Sequence, residues 1–147
     1  MSIIQTQTTS FKLELLSGYH AFTSNFRAID TFKIALYTSV AQLDATTTVY
    51  SVTNEVTGTG YSAGGIVLTV IAPTSTGTTT GGTVYFSFTN AVWTPAVFTT
   101  AGALIYNSTQ GNRSVAVLAF GSNITASNTF TITFPLNNSN NAIIRIT

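Results

Sequence analysis

From Thr31 onward the chain alternates apolar side chains with hydroxyl-bearing or other small ones, residue by residue, and that pattern leaves few folds open. In TFKIALYTS, Phe32, Ile34 and Leu36 fall on one side, with Lys33, Ala35 and Tyr37 opposite. In TVYFSFT, Val84, Phe86 and Phe88 alternate with Tyr85 and Ser87, and in NTFTITFP, Phe130, Ile132 and Phe134 alternate with threonines. Near the end, Ile144 and Ile146 flank Arg145. A period of two marks strands with one buried face. Thr, Val, Ile, Phe and Tyr also suit a pleated, half-buried surface. Segments 65–71, 91–93, 103–106 and 113–120 are further strand candidates.

Gly-rich and Asn-rich clusters separate these runs, at 57–60, 63–65, 74–82, 107–112 and 121–128. Such residues tolerate positive φ or close a local turn. TQGN between ALIYN and RSVAVLAF reads as a hairpin connection. TSTGTTTGGT (74–83) is low in complexity and reads as a mobile loop tip. No parallel βαβ alternation is visible. The expected fold is all-β: an antiparallel β-sandwich, with jelly-roll and immunoglobulin-like topologies both open.

Before the strands lies one short helical segment, 10–18. Ser10 can cap it, Phe11, Leu15 and Leu16 recur at helical spacing, and Gly18 stops it. Residues 1–9, apolar only at Met1, Ile3 and Ile4, read as an extended arm. The helix either covers one end of the core or docks onto a partner. With no linker in sight, residues 1–147 form a single domain, a usual size for one.

Composition then narrows the function. Only nine of 147 residues are charged, there is one histidine and no cysteine, and threonine alone occurs 29 times. A typical soluble domain draws roughly a quarter of its residues from Asp, Glu, Lys and Arg. A chain this neutral has few groups that move protons, hold metals or grip phosphates. His20, in SGYHAF, has no GxSxG elbow to serve and reads as a surface or capping residue. Glu14, Asp30, Asp44 and Glu55 are far apart in sequence, and Asp44 in LDATTT reads as a turn former rather than a calcium ligand. The expectation is no enzyme, and no catalytic, cofactor or metal site. A net charge of +1 with scattered basic residues predicts neither nucleic-acid nor membrane binding. MSIIQTQTTSFKLELL lacks the features of a secretory signal, which points to synthesis in a cytoplasm.

A neutral surface is prone to association. Tyr37, Tyr85 and Tyr106 sit among strand residues and, facing outward, would suit protein contacts. Together with Ile3, Ile4, Phe11, Leu15 and Tyr19 of the arm and helix, they are the candidate subunit-contact residues. Trp93 and exposed tyrosines could instead form a sugar platform.

The succession FKIALYTS, LDATTTVY, TNEVTGTGYSAGG, AVWT, GALIYN, NRSVAVLAFGS, FTITFP and AIIRI resembles a family of small virion structural proteins of tailed bacteriophages, over about residues 10–147. The family often carries Arg before GALIYN and Asp in the VAVLDFG segment, where this chain has Ala101 and Ala119. If those charges paired, both partners are gone together, which avoids a lone buried charge. The resemblance implies a part in the virion: a capsid decoration or cement protein, a homo-oligomer (dimer or trimer) bridging the major capsid protein or other virion proteins. A tail tube, adaptor or fibre component, or a carbohydrate-binding module on a fibre, are the alternatives.

Overall fold

The computed structural model describes residues 2–147. In chain order its elements are β1 (Thr6–Gln7), α1 (Thr9–Leu16), β2 (Phe32–Tyr37), β3 (Ile66–Leu68), β4 (Val70–Thr78), β5 (Gly81–Phe88), β6 (Ala91–Trp93), β7 (Phe98–Asn107), β8 (Arg113–Ala126), β9 (Phe130–Ile132) and β10 (Ile144–Ile146). The strands form a five-stranded sheet in the order β1-β8-β7-β2-β3, a three-stranded sheet β10-β5-β4, and the pair β6-β9. Every pairing between these strands is antiparallel. The all-β, sandwich-like class expected from the alternation is the one observed.

The main core lies between the sheets and is built from rings. Eight of the ten phenylalanines are buried. Phe22 stacks on Phe32 with ring centres 4.6 Å apart, and Trp93 and Phe98 both pack against Phe130. Phe32, Ile34 and Leu36 of β2 point into this core. The opposite face of β2 is buried as well: Ala35 and Tyr37 join Leu104, Tyr106, Val117 and Leu43 in a second cluster beneath the long connection that follows β2. Tyr37 and Tyr106 are therefore core residues, 1% and 2% exposed, and not the outward tyrosines that strand alternation suggested. A covering loop buries a face that period-two reading assigns to solvent.

Two further expectations change. The segment 74–83 is the tip of a β4–β5 hairpin, paired from Thr74↔Tyr85 to Thr78↔Gly81. Its threonines are strand formers, and only Thr79 and Thr80 lie in the turn. The helix begins at Thr9 and is capped by Thr8, not Ser10, because the Thr8 amide is tied to the Val115 carbonyl of β8 at 3.1 Å. Gly18, with φ +76°, ends the run as expected. The N-terminal arm is stitched to its own sheet: β1 pairs with β8, and the Ile4 amide donates to Leu43. TQGN forms the β7–β8 turn.

Candidate functional site

Helix α1 rests Phe11 and Leu15 on the core but also takes a charge inside and leaves two leucines out. It buries Phe11 and Glu14 and leaves Leu13 and Leu16 exposed, at 68% and 88%. Glu14 can be buried because it has partners inside. Its Oε1 accepts from Arg113 Nη1, and its Oε2 lies 2.9 Å from His20 Nε2. On the far side of the imidazole, Asn107 Nδ2 donates to His20 Nδ1 at 3.0 Å and to Asp30 Oδ2 at 2.7 Å. Asn107 Oδ1 accepts from the Thr109 and Gln110 amides, which fixes the amide's orientation. Nδ1 of His20 must then be the acceptor, so Nε2 carries the proton and donates to Glu14.

Asp30 completes the cluster. Arg27 grips it with both guanidinium nitrogens, at 2.5 and 3.0 Å, and the Ala21 amide donates at 2.8 Å. Burial pushes this carboxyl up, but the hydrogen bonds from Arg27, Ala21, Asn107 and Gln110 outweigh it and hold the pKa at about 2. For His20, desolvation comes first and lowers the pKa, against the raising influence of Glu14. Both ring nitrogens are occupied and the ring is enclosed by Phe11, Phe22 and Phe32. His20 is thus a buried link, not the surface residue its sequence context suggested, and it has no free nitrogen for proton transfer. Sequence reasoning missed this cluster because Glu14, Asp30 and Asn107 are brought together only by the fold.

A second buried carboxylate, Glu55, lies under the long connection. It accepts from Tyr50 Oη at 2.6 Å, Tyr61 Oη at 2.5 Å and the Gly64 amide at 2.7 Å. Tyr37 Oη donates to the Ser51 carbonyl and Tyr106 Oη to that of Gly64. Asp44 accepts from the Thr46 amide and hydroxyl, the turn expected of it. Among the described residues no group of three or more His, Cys, Asp or Glu gathers as a metal site, and no helix is long and apolar enough to cross a membrane.

Among the described residues these placements leave Asp44 as the one side-chain carboxylate that reaches the surface, on its own turn: Glu14, Asp30 and Glu55 are buried. Among the described residues, Arg27 and Arg113 are paired with carboxylates, whereas Lys12, Lys33 and Arg145 are not. The exposed surface is hydroxyl, amide, apolar and, where charged, mainly cationic.

Of the contact residues expected from sequence, Ile4 and Tyr19 are exposed, Ile3, Leu15 and Tyr85 are half-buried, and Phe11, Tyr37 and Tyr106 are enclosed in the chain itself. Tyr19 carries Arg113 over its ring, 4.9 Å from the centre. Exposed residues that sequence reasoning passed over include Leu13, Phe26 and Ile146. Leu13 and Leu16 stand three apart on the helix, which was a legible signal for a second apolar face. Ala101 and Ala119 line one cavity of about 320 Å³ with Ile3. The two positions where the chain departs from the resembled family are therefore neighbours. Comparison of the chain with known protein families, with curated proteins and with solved structures gave no match.

Proposed function

We propose that this chain is a non-enzymatic structural protein of a bacteriophage particle, a capsid decoration or cement protein that bridges capsid subunits. The observation that carries the reading is the outer face of helix α1. A chain that buries Glu14 and presents Leu13 and Leu16 to solvent, on a surface where Asp44 is the one carboxylate to emerge among the described residues, is built for contact. The resemblance in sequence supplies the particle. Contacts between apolar and hydroxyl groups lose little to salt, unlike exposed ion pairs, which suits a particle released into variable media. The major capsid protein is the expected partner, with self-association into dimers or trimers on other faces.

The sugar-binding alternative loses its principal ring, because Trp93 is 3% exposed and packed against Phe130. Cryo-electron microscopy of the phage particle tests the proposal. Density for this chain at junctions of the head lattice is the expected result. Density confined to the tail, or absence of the chain from purified particles by mass spectrometry, overturns it.

A further inference from the structure

The two sheets leave a seam open on one side of the molecule. β1 is an edge of the five-stranded sheet and β10 an edge of the three-stranded sheet, so each has one unpaired side. Two hollows lie along this seam and share Arg145. One, of about 540 Å³, is lined by Gln7, Lys12, Leu15, Leu16, Arg145 and Ile146. The other, of about 410 Å³, runs from Gln5 past Leu118 and Phe120 to Ile143 and Arg145. The first hollow is mainly apolar, the second mixes Leu118 and Phe120 with Thr133 and Asn141, Lys12 and Arg145 stand at the rim, and no Asp or Glu lines either hollow.

From this arrangement we infer that the β1–β10 seam is a docking trough for an extended segment of a different protein, one that alternates apolar residues with aspartate or glutamate. The unpaired strand edges supply backbone pairing, as in strand addition. Leu15, Leu16 and Ile146 take the apolar side chains. Lys12 and Arg145 take the carboxylates.

Charge complementarity selects this occupant over the others. A second copy of the chain is a poor source of the anions, because three of its four side-chain carboxylates are buried and the fourth, Asp44, is a single one in LDATTT where the trough has two cations to match. A cation on an edge strand also opposes pairing between like edges. A phosphate backbone or an anionic bilayer is gripped by clusters of basic residues, and two cations across an apolar floor do not make one. The inference stands whether or not the partner is a capsid subunit.

Peptide binding followed by two-dimensional amide NMR of the full chain is the test. The probes are a short blocked peptide alternating valine with aspartate and its counterpart alternating valine with lysine. The expected result is binding of the aspartate peptide, with shifts concentrated at residues 5–7 and 143–146 and affinity falling as salt rises. The double variant Lys12→Glu, Arg145→Glu weakens that binding by about tenfold or more and turns the preference to the lysine peptide. Leu16→Ser weakens both. These are surface changes, and an unchanged circular dichroism spectrum verifies the fold. Equal binding of the two peptides, shifts elsewhere, or no binding overturns the inference. So does sedimentation showing that copies associate and that Leu16→Ser abolishes it, or preferential binding of phosphatidylserine vesicles or duplex DNA. None of these outcomes bears on where the chain sits in a particle, so this test and the microscopy fail separately.

Discussion

The two buried carboxylate sites handle the same physical difficulty in opposite ways. At the α1 end, Glu14 and Asp30 are held by cations, an imidazole and an amide. Under the long connection, Glu55 is held by two phenols and a backbone amide, with no ion pair among the described residues. Two carboxylates linked through one network need positive charge to offset their repulsion and desolvation, and Arg27 and Arg113 provide it. A single carboxylate can be stabilised by neutral donors alone. This chain therefore commits two of its five side-chain cations to buried carboxylates, reaching in from partly exposed positions, and leaves Lys12, Lys33 and Arg145 without a carboxylate partner among the described residues.

Asn107 is where the ionic site is most easily broken. It is fully buried and joins His20, Asp30 and the β7–β8 turn through both ends of its amide. Asn107→Ala leaves a buried imidazole nitrogen, a carboxylate oxygen and two amides short of partners. The expected loss is about 3–5 kcal/mol, read from urea unfolding, the scale for disrupting a buried charged network. A loss below about 1 kcal/mol would mean that water replaces the amide and that the network does not act as a unit.

The two sites also fail at opposite ends of the pH scale. His20 has a folded pKa below 6.5 and Asp30 one at about 2, below its usual 3.8. A depressed folded pKa stabilises above the unfolded value and ceases to as pH falls through the folded one. The α1 site thus weakens first below pH 6.5, by His20, and again between 3.8 and about 2, by Asp30. The Asp30 part amounts to about 2 kcal/mol. Around Glu55 the shifts run upward: burial, then the Glu55 charge, pushes Tyr106 up to about 12, and burial also raises Tyr37, Tyr50 and Tyr61. A raised pKa stabilises fully below the unfolded value, so this site weakens as pH climbs past 10. Thermal unfolding across pH should show both limbs. His20→Gln should flatten the upper part of the acid limb and leave the alkaline limb unchanged.

These regions differ in how much of them the sequence revealed. The inward set Phe32, Ile34 and Leu36, the TQGN turn and the core phenylalanines follow from periodicity, because side-chain direction in a strand is a local property. Burial of Tyr37 and Tyr106 does not follow, since it depends on a covering connection whose path is set by tertiary contacts. The hairpin at 74–83 was hidden by composition: threonine and glycine suit both a loop and an exposed ribbon. The α1 site was hidden by separation, with Asn107 lying far along the chain from Glu14 and His20. The seam is a property of two sheet edges, and a single strand's sequence does not say whether it lies at an edge.

Tyr61→Phe sharpens the comparison on the neutral side. Its hydroxyl donates to Glu55 and accepts from the Leu36 amide at 2.8 Å, so the change leaves one buried backbone donor unpaired. The expected loss near neutral pH is about 1–2 kcal/mol, smaller than at Asn107 because Glu55 keeps Tyr50 and Gly64. Above pH 10 the variant should converge on the parent, since it lacks one phenol whose ionisation favours unfolding. Divergence there would show that Tyr61 does not titrate with the other phenols around Glu55.

The smallest effect is expected where the ionic site reaches solvent. Tyr19 is 46% exposed and lies under the Arg113 guanidinium that grips Glu14. If the ring serves mainly to hold that guanidinium over Glu14, Tyr19→Ala costs about 0.5–1 kcal/mol, the scale of an exposed cation–π contact. Tyr19→Phe keeps the ring face and should cost less. The loss should disappear in an Arg113→Met background, because the ring then has no cation to position. A double-mutant cycle with no coupling between Tyr19 and Arg113 would detach Tyr19 from the buried network. It would then stand as a surface aromatic whose exposure needs a partner outside this chain.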